Sequence, residues 1–223
     1  GTGKHTKYAA SSRNEAKKKY RGQGRQHSLF YMKLKIREKL EVLVDHYPNY
    51  TSLNAKLMED VKRADYSVSY TSNIYGKHSN WNTKTDNIKF ITDWVYWILN
   101  QNYGLIKNGY EHRLNFYETW FAIYDKGEYA KEHCHELSVW SFVYFITCPK
   151  GSSPLVFTNS GRKIKAEEGK IVIFPGHLCH HVPKNGCNGR IVLAGNCLQD
   201  QTPIDCHFIQ SSEEEFVKNG GIM

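Results

Sequence analysis

Residues 170–196 read KIVIFPGHLCHHVPKNGCNGRIVLAGN, and this stretch decides the fold. Lys170 to Phe174 is a short β-branched and aromatic run closed by Pro175-Gly176, the pattern of a strand followed by a turn. A histidine cluster comes next, His177-Leu178-Cys179-His180-His181, and a further strand is expected over Gly189–Asn196. With a period of two, Arg190, Val192, Ala194 and Asn196 share one face of that strand. If that face is the interior, a guanidinium is directed into a core. A buried cation without a partner costs several kcal/mol, so something anionic is expected to meet it. The planar fork of arginine matches a carboxylate in bidentate fashion.

Upstream, the period changes to two from Asn115. Phe116, Glu118, Trp120, Ala122 and Tyr124 are expected on one face, and Tyr117, Thr119, Phe121 and Ile123 on the other. More strands are expected at Ser138–Thr147, Pro154–Phe157 and Arg162–Lys165, separated by Gly, Pro and Asn turns, as in an all-β sandwich or barrel. His133-Cys134-His135 stands just before one of them. Residues i and i+2 of an extended segment point the same way, so both imidazoles reach one metal ion. His180, from the later cluster, joins them only if the sheet folds over, as a jelly-roll does. The expected fold class is therefore α+β, mainly β: a double-stranded β-helix (jelly-roll) core with N-terminal helices packed outside.

Those helices are read from i, i+3, i+4 spacing. Leu29, Met32, Leu34, Ile36, Leu40, Leu43 and Val44 suggest the first. Ser52 caps a second running to about Val61, and Asp86 a third running to about Asn100. Residues 66–75 read as strand, then turn. The expected organisation is a basic flexible arm over 1–27 (with Gly1-Thr2-Gly3 as a cloning scar), a helical part over 28–112 and the jelly-roll over 113–210, with 28–223 as one domain.

The chain of 223 residues is 40% apolar and 23% charged, a globular composition long enough to bury a core without disulfides. It contains no apolar run of about 18 residues, so no membrane span is expected. The cysteines, Cys134, Cys148, Cys179, Cys187, Cys197 and Cys206, form no C-x-x-C pair and are read as reduced thiols of a soluble cytoplasmic protein. The net charge of +8 owes much to Lys4, Lys7, Arg13, Lys17, Lys18, Lys19, Arg21 and Arg25. A solvated arm is the plain reading, and a contact with nucleic acid or an acidic protein the sharper one.

The chain resembles the Fe(II)/2-oxoglutarate-dependent oxygenase superfamily, in particular small prolyl-hydroxylase-like members found in marine bacteria and their phages. The resemblance rests on Ser72-Asn73 with Gly76 and Trp81, on Tyr124-Asp125-Lys126-Gly127-Glu128-Tyr129 before His133-Cys134-His135, and on Ser141-Phe142-Val143-Tyr144-Phe145. It continues through Glu168-Gly169-Lys170-Ile171-Val172-Ile173-Phe174-Pro175, His180-His181-Val182, Asn185 and Arg190, covering roughly residues 70 to 197. It implies that His133, His135 and His180 hold Fe(II), that Arg190 binds the distal carboxylate of 2-oxoglutarate, and that Tyr124, Tyr144 and Asn196 belong to the co-substrate pocket. It further implies O₂ as reactant, ascorbate as an optional reductant, a protein or peptide substrate, and the host cytoplasm as location if the chain is phage-encoded. In two places the chain departs from the pattern. His135 stands where the superfamily carries Asp or Glu, which removes one negative charge from the site. Val192 stands where a serine often follows the arginine.

Other readings compete. Cys134, His135, Cys179 and His180 would suit a structural zinc ion, but that leaves Arg190 unexplained. A cupin-like metal-binding jelly-roll without turnover and an oxygenase acting on nucleic-acid bases are the functional alternatives. His177 and His181 are read as rim residues, Cys134 and Cys179 as small apolar fillers, Trp120 and Trp140 as cleft walls, and Glu167-Glu168 as a turn.

Overall fold

The structure is a computed structural model that describes residues 40–67, 72–107 and 110–203. The basic arm, most of the first expected helix and Cys206 lie outside the described residues.

Two antiparallel sheets form the body. The elements, in chain order, are β1 (Leu43–His46), α1 (Tyr50–Arg63), β2 (Ile74–Tyr75), β3 (Lys77–His78), α2 (Asp86–Tyr103), β4 (Ile106–Lys107) and β5 (Tyr110–Tyr124). They continue with β6 (Tyr129–His133), β7 (Trp140–Thr147), β8 (Leu155–Phe157), β9 (Arg162–Ile164), β10 (Lys170–Pro175), β11 (His180–Val182) and β12 (Arg190–Pro203). The larger sheet runs β1-β10-β7-β12-β5-β3, with β4 added beside β5; the smaller runs β2-β6-β11-β8-β9. Every crossover between the sheets fits the folded-over arrangement expected of a jelly-roll.

Both faces of the larger sheet are buried, each by alternate residues of the same strands. Phe142, Tyr144 and Ile146 of β7, Ile171 and Ile173 of β10, and Ile191 and Leu193 of β12 pack with the helices. Val143 and Phe145, Val172 and Phe174, and Val192 and Ala194 face the smaller sheet, which contributes Ala130, Leu155, Phe157 and Val182. A cavity bordered by His133, His135, His180 and Arg190 lies in this second layer.

The helices cover the outer face. On α1, Leu53, Leu57 and Val61 recur every four residues and are buried. Asn54, also buried, donates to the Ile146 carbonyl at 2.7 Å and accepts from the Tyr144 hydroxyl at 2.7 Å. On α2, Ile88, Ile91, Trp94, Val95, Ile98 and Leu99 form the buried stripe. Gly104 closes that helix with φ 62°, a left-handed cap that glycine adopts without steric cost. No helix among the described residues is long and apolar enough to cross a membrane.

Several local expectations need correction. Leu43 and Val44 are strand, pairing with Ile173 and Val172 of β10, because the open edge of the larger sheet satisfies their backbone groups. Helix α1 begins before Ser52, after Asn49, whose side chain makes no capping bond. The cap of α2 is Thr85, whose hydroxyl accepts from the Ile88 amide at 3.1 Å. The β5–β12 ladder shifts register between Asn196 and Leu198, so Phe116 packs with the helices while Trp120, Ala122 and Tyr124 face the cavity.

Candidate metal centre and active site

Strand β6 ends at His133 and β11 begins at His180, and the two residues are direct partners across the ladder. Their ring centroids lie 4.3 Å apart. His135 is two residues past the end of β6, in a turn and not on a strand. Its amide donates to the Gly176 carbonyl at 2.7 Å, while the Gly176 amide donates to Val139 at 3.1 Å. A β-carbon on Gly176 would overlap the carbonyl oxygens of Ser138 and His135, so the close approach requires glycine. The turn brings His135 to 5.0 Å from His133 and 5.3 Å from His180, ring to ring. The nearest ligand atoms of the three imidazoles all lie within 4.8 Å of one another.

The rings are prepared as neutral donors. The carbonyl of Lys131 lies 2.8 Å from His133 Nδ1, and that of Leu178 lies 2.9 Å from His180 Nδ1. A carbonyl only accepts, so both Nδ1 atoms carry hydrogen and both Nε2 atoms keep a lone pair. Burial pushes the His135 imidazole down to about 4, with His133 the next cause. It pushes His180 down to about 3, and lowers His133 as well. Cys134 and Cys179 stay outside the group of mutually close donors, so the mixed zinc site expected as an alternative does not assemble.

Arg190 opens β12 and shares the cavity with the three histidines. It is 0% exposed. Its Nε donates to the Ser153 carbonyl at 3.0 Å, and its guanidinium carbon stands 5.0 Å from the Tyr124 ring and 5.4 Å from that of Phe145. Nη1 and Nη2 are buried and have no hydrogen-bond partner among the described residues. Two such groups on a cation are costly to leave unmade, so the site calls for an anion with paired acceptors. Asn185 braces this end: its side chain donates to the Tyr124 carbonyl at 2.9 Å and accepts from the Ser153 amide at 2.9 Å.

Trp120, Tyr124, Leu155, Phe174, Val182 and Val192 supply much of the cavity wall. The Tyr124 phenol is held protonated, pushed up to about 12 by burial although the Arg190 charge pulls the other way. The donor set fits the implied groups: three neutral imidazoles suit a divalent transition metal, and the orphaned guanidinium edge suits a carboxylate.

No protein-family model and no curated protein matches this sequence. Solved structures do match in three dimensions. The viral collagen prolyl hydroxylase of Paramecium bursaria Chlorella virus-1, solved with 2-oxoglutarate, is 16% identical with a TM-score of 0.54, over 72% of this chain and 96% of that one. A Trichoplax adhaerens prolyl hydroxylase, solved with a hypoxia-inducible-factor peptide, is 13% identical with a TM-score of 0.52, over 70% and 82%. The α-ketoglutarate-dependent epimerase SnoN of nogalamycin biosynthesis is 10% identical with a TM-score of 0.54, over 74% and 83%.

The fold is that of the 2-oxoglutarate, Fe(II)-dependent oxygenases.

Within this oxygenase fold the expected residues divide. His133, His135, His180, Arg190, Tyr124 and Asn196 all border one cavity. Tyr144 does not: it faces the helices, bonded to Asn54, because it shares a phase with Phe142 and Ile146. Trp140 is likewise no cleft wall and packs against Tyr103, ring centroids 4.9 Å apart. Asn196 borders the cavity with its amide engaged by Ser141, Glu118 and His135. His181 contacts Thr158, and His177 is exposed. Cys134 and Cys179 are half-buried and not core fillers. Sequence reasoning missed Ser153 and Gly176, which act through backbone atoms. It also passed over Glu118, although that residue shares the Trp120 phase.

Proposed function

We propose that this chain is an Fe(II)- and 2-oxoglutarate-dependent hydroxylase acting on a peptidyl side chain, with proline the leading target. The observation that carries the reading is the orphaned guanidinium of Arg190 in the same apolar cavity as three neutral, mutually close imidazoles.

His133, His135 and His180 would hold the metal. Bound there, iron supplies the O₂ activation that couples decarboxylation of 2-oxoglutarate to succinate with hydroxylation of a C–H bond. The protein's part is positioning. Arg190 takes the distal carboxylate on Nη1 and Nη2, held in place by the Ser153 carbonyl on Nε and the aromatic faces of Tyr124 and Phe145. The Tyr124 phenol stays protonated and offers a donor beside that carboxylate, which the valine at 192 does not. Leu155, Phe174, Val182 and Val192 keep water from the reacting region. The likeness to two prolyl hydroxylases, one solved with a peptide, supports a protein substrate.

The test is succinate release from 2-oxoglutarate with Fe(II) and O₂, stimulated by a series of proline-containing peptides and analysed for hydroxylated product. Stimulation with a mass gain on proline is the expected result. Metal and 2-oxoglutarate binding without any succinate would favour the second reading, a metal-binding jelly-roll without turnover, which His135 in place of a carboxylate keeps open.

A further inference from the structure

His135 is the ligand that stands where the superfamily carries a carboxylate, and a chain of polar side chains, two of them buried, reaches it. Ser141 Oγ donates to Asn196 Oδ1 at 2.8 Å. Asn196 Nδ2 donates to Glu118 Oε2 at 2.7 Å and lies 3.2 Å from His135 Nδ1. Ser141 and Asn196 are each 2% exposed. Asn196 and Glu118 are partners in the β12–β5 ladder, and Ser141 faces Asn196 from β7, so three adjacent strands aim at one imidazole.

The other two ligands have their Nδ1 hydrogens taken by backbone carbonyls, those of Lys131 and Leu178. Among the described residues His135 Nδ1 meets no such carbonyl but a side-chain amide. An amide presents an acceptor or a donor according to which way it is turned, and a serine hydroxyl can answer either. With the NH₂ toward His135, the imidazole hydrogen sits on Nε2. With the oxygen toward it, Nδ1 carries the hydrogen and Nε2 has its lone pair. Glu118, partly buried, accepts from the first arrangement.

We propose that Asn196, steered by Ser141 and Glu118, is a positioning residue that orients His135 and sets whether its Nε2 carries the hydrogen or keeps its lone pair for the metal. This rests on the metal-centre reading above. It makes the third ligand adjustable where the other two are fixed, and supplies from Asn196 what a neighbouring carboxylate or carbonyl supplies to other metal-binding histidines.

The test uses Co(II) as probe on the full chain, read by its visible ligand-field spectrum and by titration, with thermal melting as the check on folding. Asn196→Leu, close in volume, is expected to weaken Co(II) binding by about 10–100-fold and to change the spectrum. The double variant Glu118→Gln/Asn196→Asp gives Nδ1–H a fixed acceptor without adding net charge, and is expected to restore binding to the wild-type level or tighter. A folded Asn196→Leu protein with wild-type affinity and spectrum overturns the inference, and so does a folded double variant as weak as Asn196→Leu. Absence of Co(II) binding by the wild type, indistinguishable from His180→Ala, overturns the metal-centre reading and this inference with it.

Discussion

His133 and His180 face one another across the β6–β11 ladder, their ring centroids 4.3 Å apart. Two donors placed by one strand register are held by backbone hydrogen bonds and not by loop conformation. A slip of one residue would turn one ring to the opposite face, so the register itself is part of the site. The third ring depends on a turn that closes on Gly176.

Replacing Gly176 with alanine tests that turn. The new methyl meets the carbonyl oxygens of Ser138 and His135, and the chain must shift where His135 is held. Metal affinity is expected to fall by about tenfold or more, the scale seen when groups supporting a ligand are disturbed. Titration of Gly176→Ala beside wild type checks this; unchanged affinity would show that the close approach is not needed.

Arg190→Met separates stability from co-substrate binding. Without an anion, the buried guanidinium has two unmet nitrogens. Replacing such a charge with an apolar side chain is expected to be neutral or stabilising, by up to about 4 kcal/mol. Denaturant melts without 2-oxoglutarate should therefore show no loss. Adding metal and 2-oxoglutarate should raise the melting temperature of the wild type and not of the variant.

Tyr144 and Tyr124 should behave as opposites. Tyr144→Phe strips the partner from the buried Asn54 carbonyl oxygen and is expected to cost about 1–3 kcal/mol of stability, leaving the apparent KM for 2-oxoglutarate unchanged. Tyr124→Phe, in the cavity wall beside Arg190, is expected to raise that KM several-fold with a smaller effect on stability.

The helical cover is held by packing. Leu57 is fully buried on α1 among residues of α2 and the larger sheet. Leu57→Ala is expected to cost about 2–5 kcal/mol in urea melts and to leave metal affinity intact.

These contrasts also show what was legible beforehand. The phase of Arg190, Val192, Ala194 and Asn196 could be read because a charged residue and an amide mark one face of an otherwise apolar strand. The phase of β7 could not: Phe142 through Ile146 are all apolar, since both faces of the sheet are covered, and period two alone does not say which side holds Tyr144. His135 was recognised by type, but through a strand geometry it does not have. Its placement depends on Gly176, more than forty positions away. Leu43 and Val44 satisfy helical spacing and strand pairing equally, and the free edge of β10 decides between them. Ser153 serves Arg190 through a carbonyl, which no side-chain pattern encodes.

The most direct measurement is anaerobic addition of Fe(II) and then 2-oxoglutarate, followed by visible absorption. A charge-transfer band is expected in the wild type, absent in His180→Ala, and in Arg190→Met reached only at much higher 2-oxoglutarate. A wild-type protein that gives no band, or an Arg190→Met protein that gives it at the same concentration, would contradict the account.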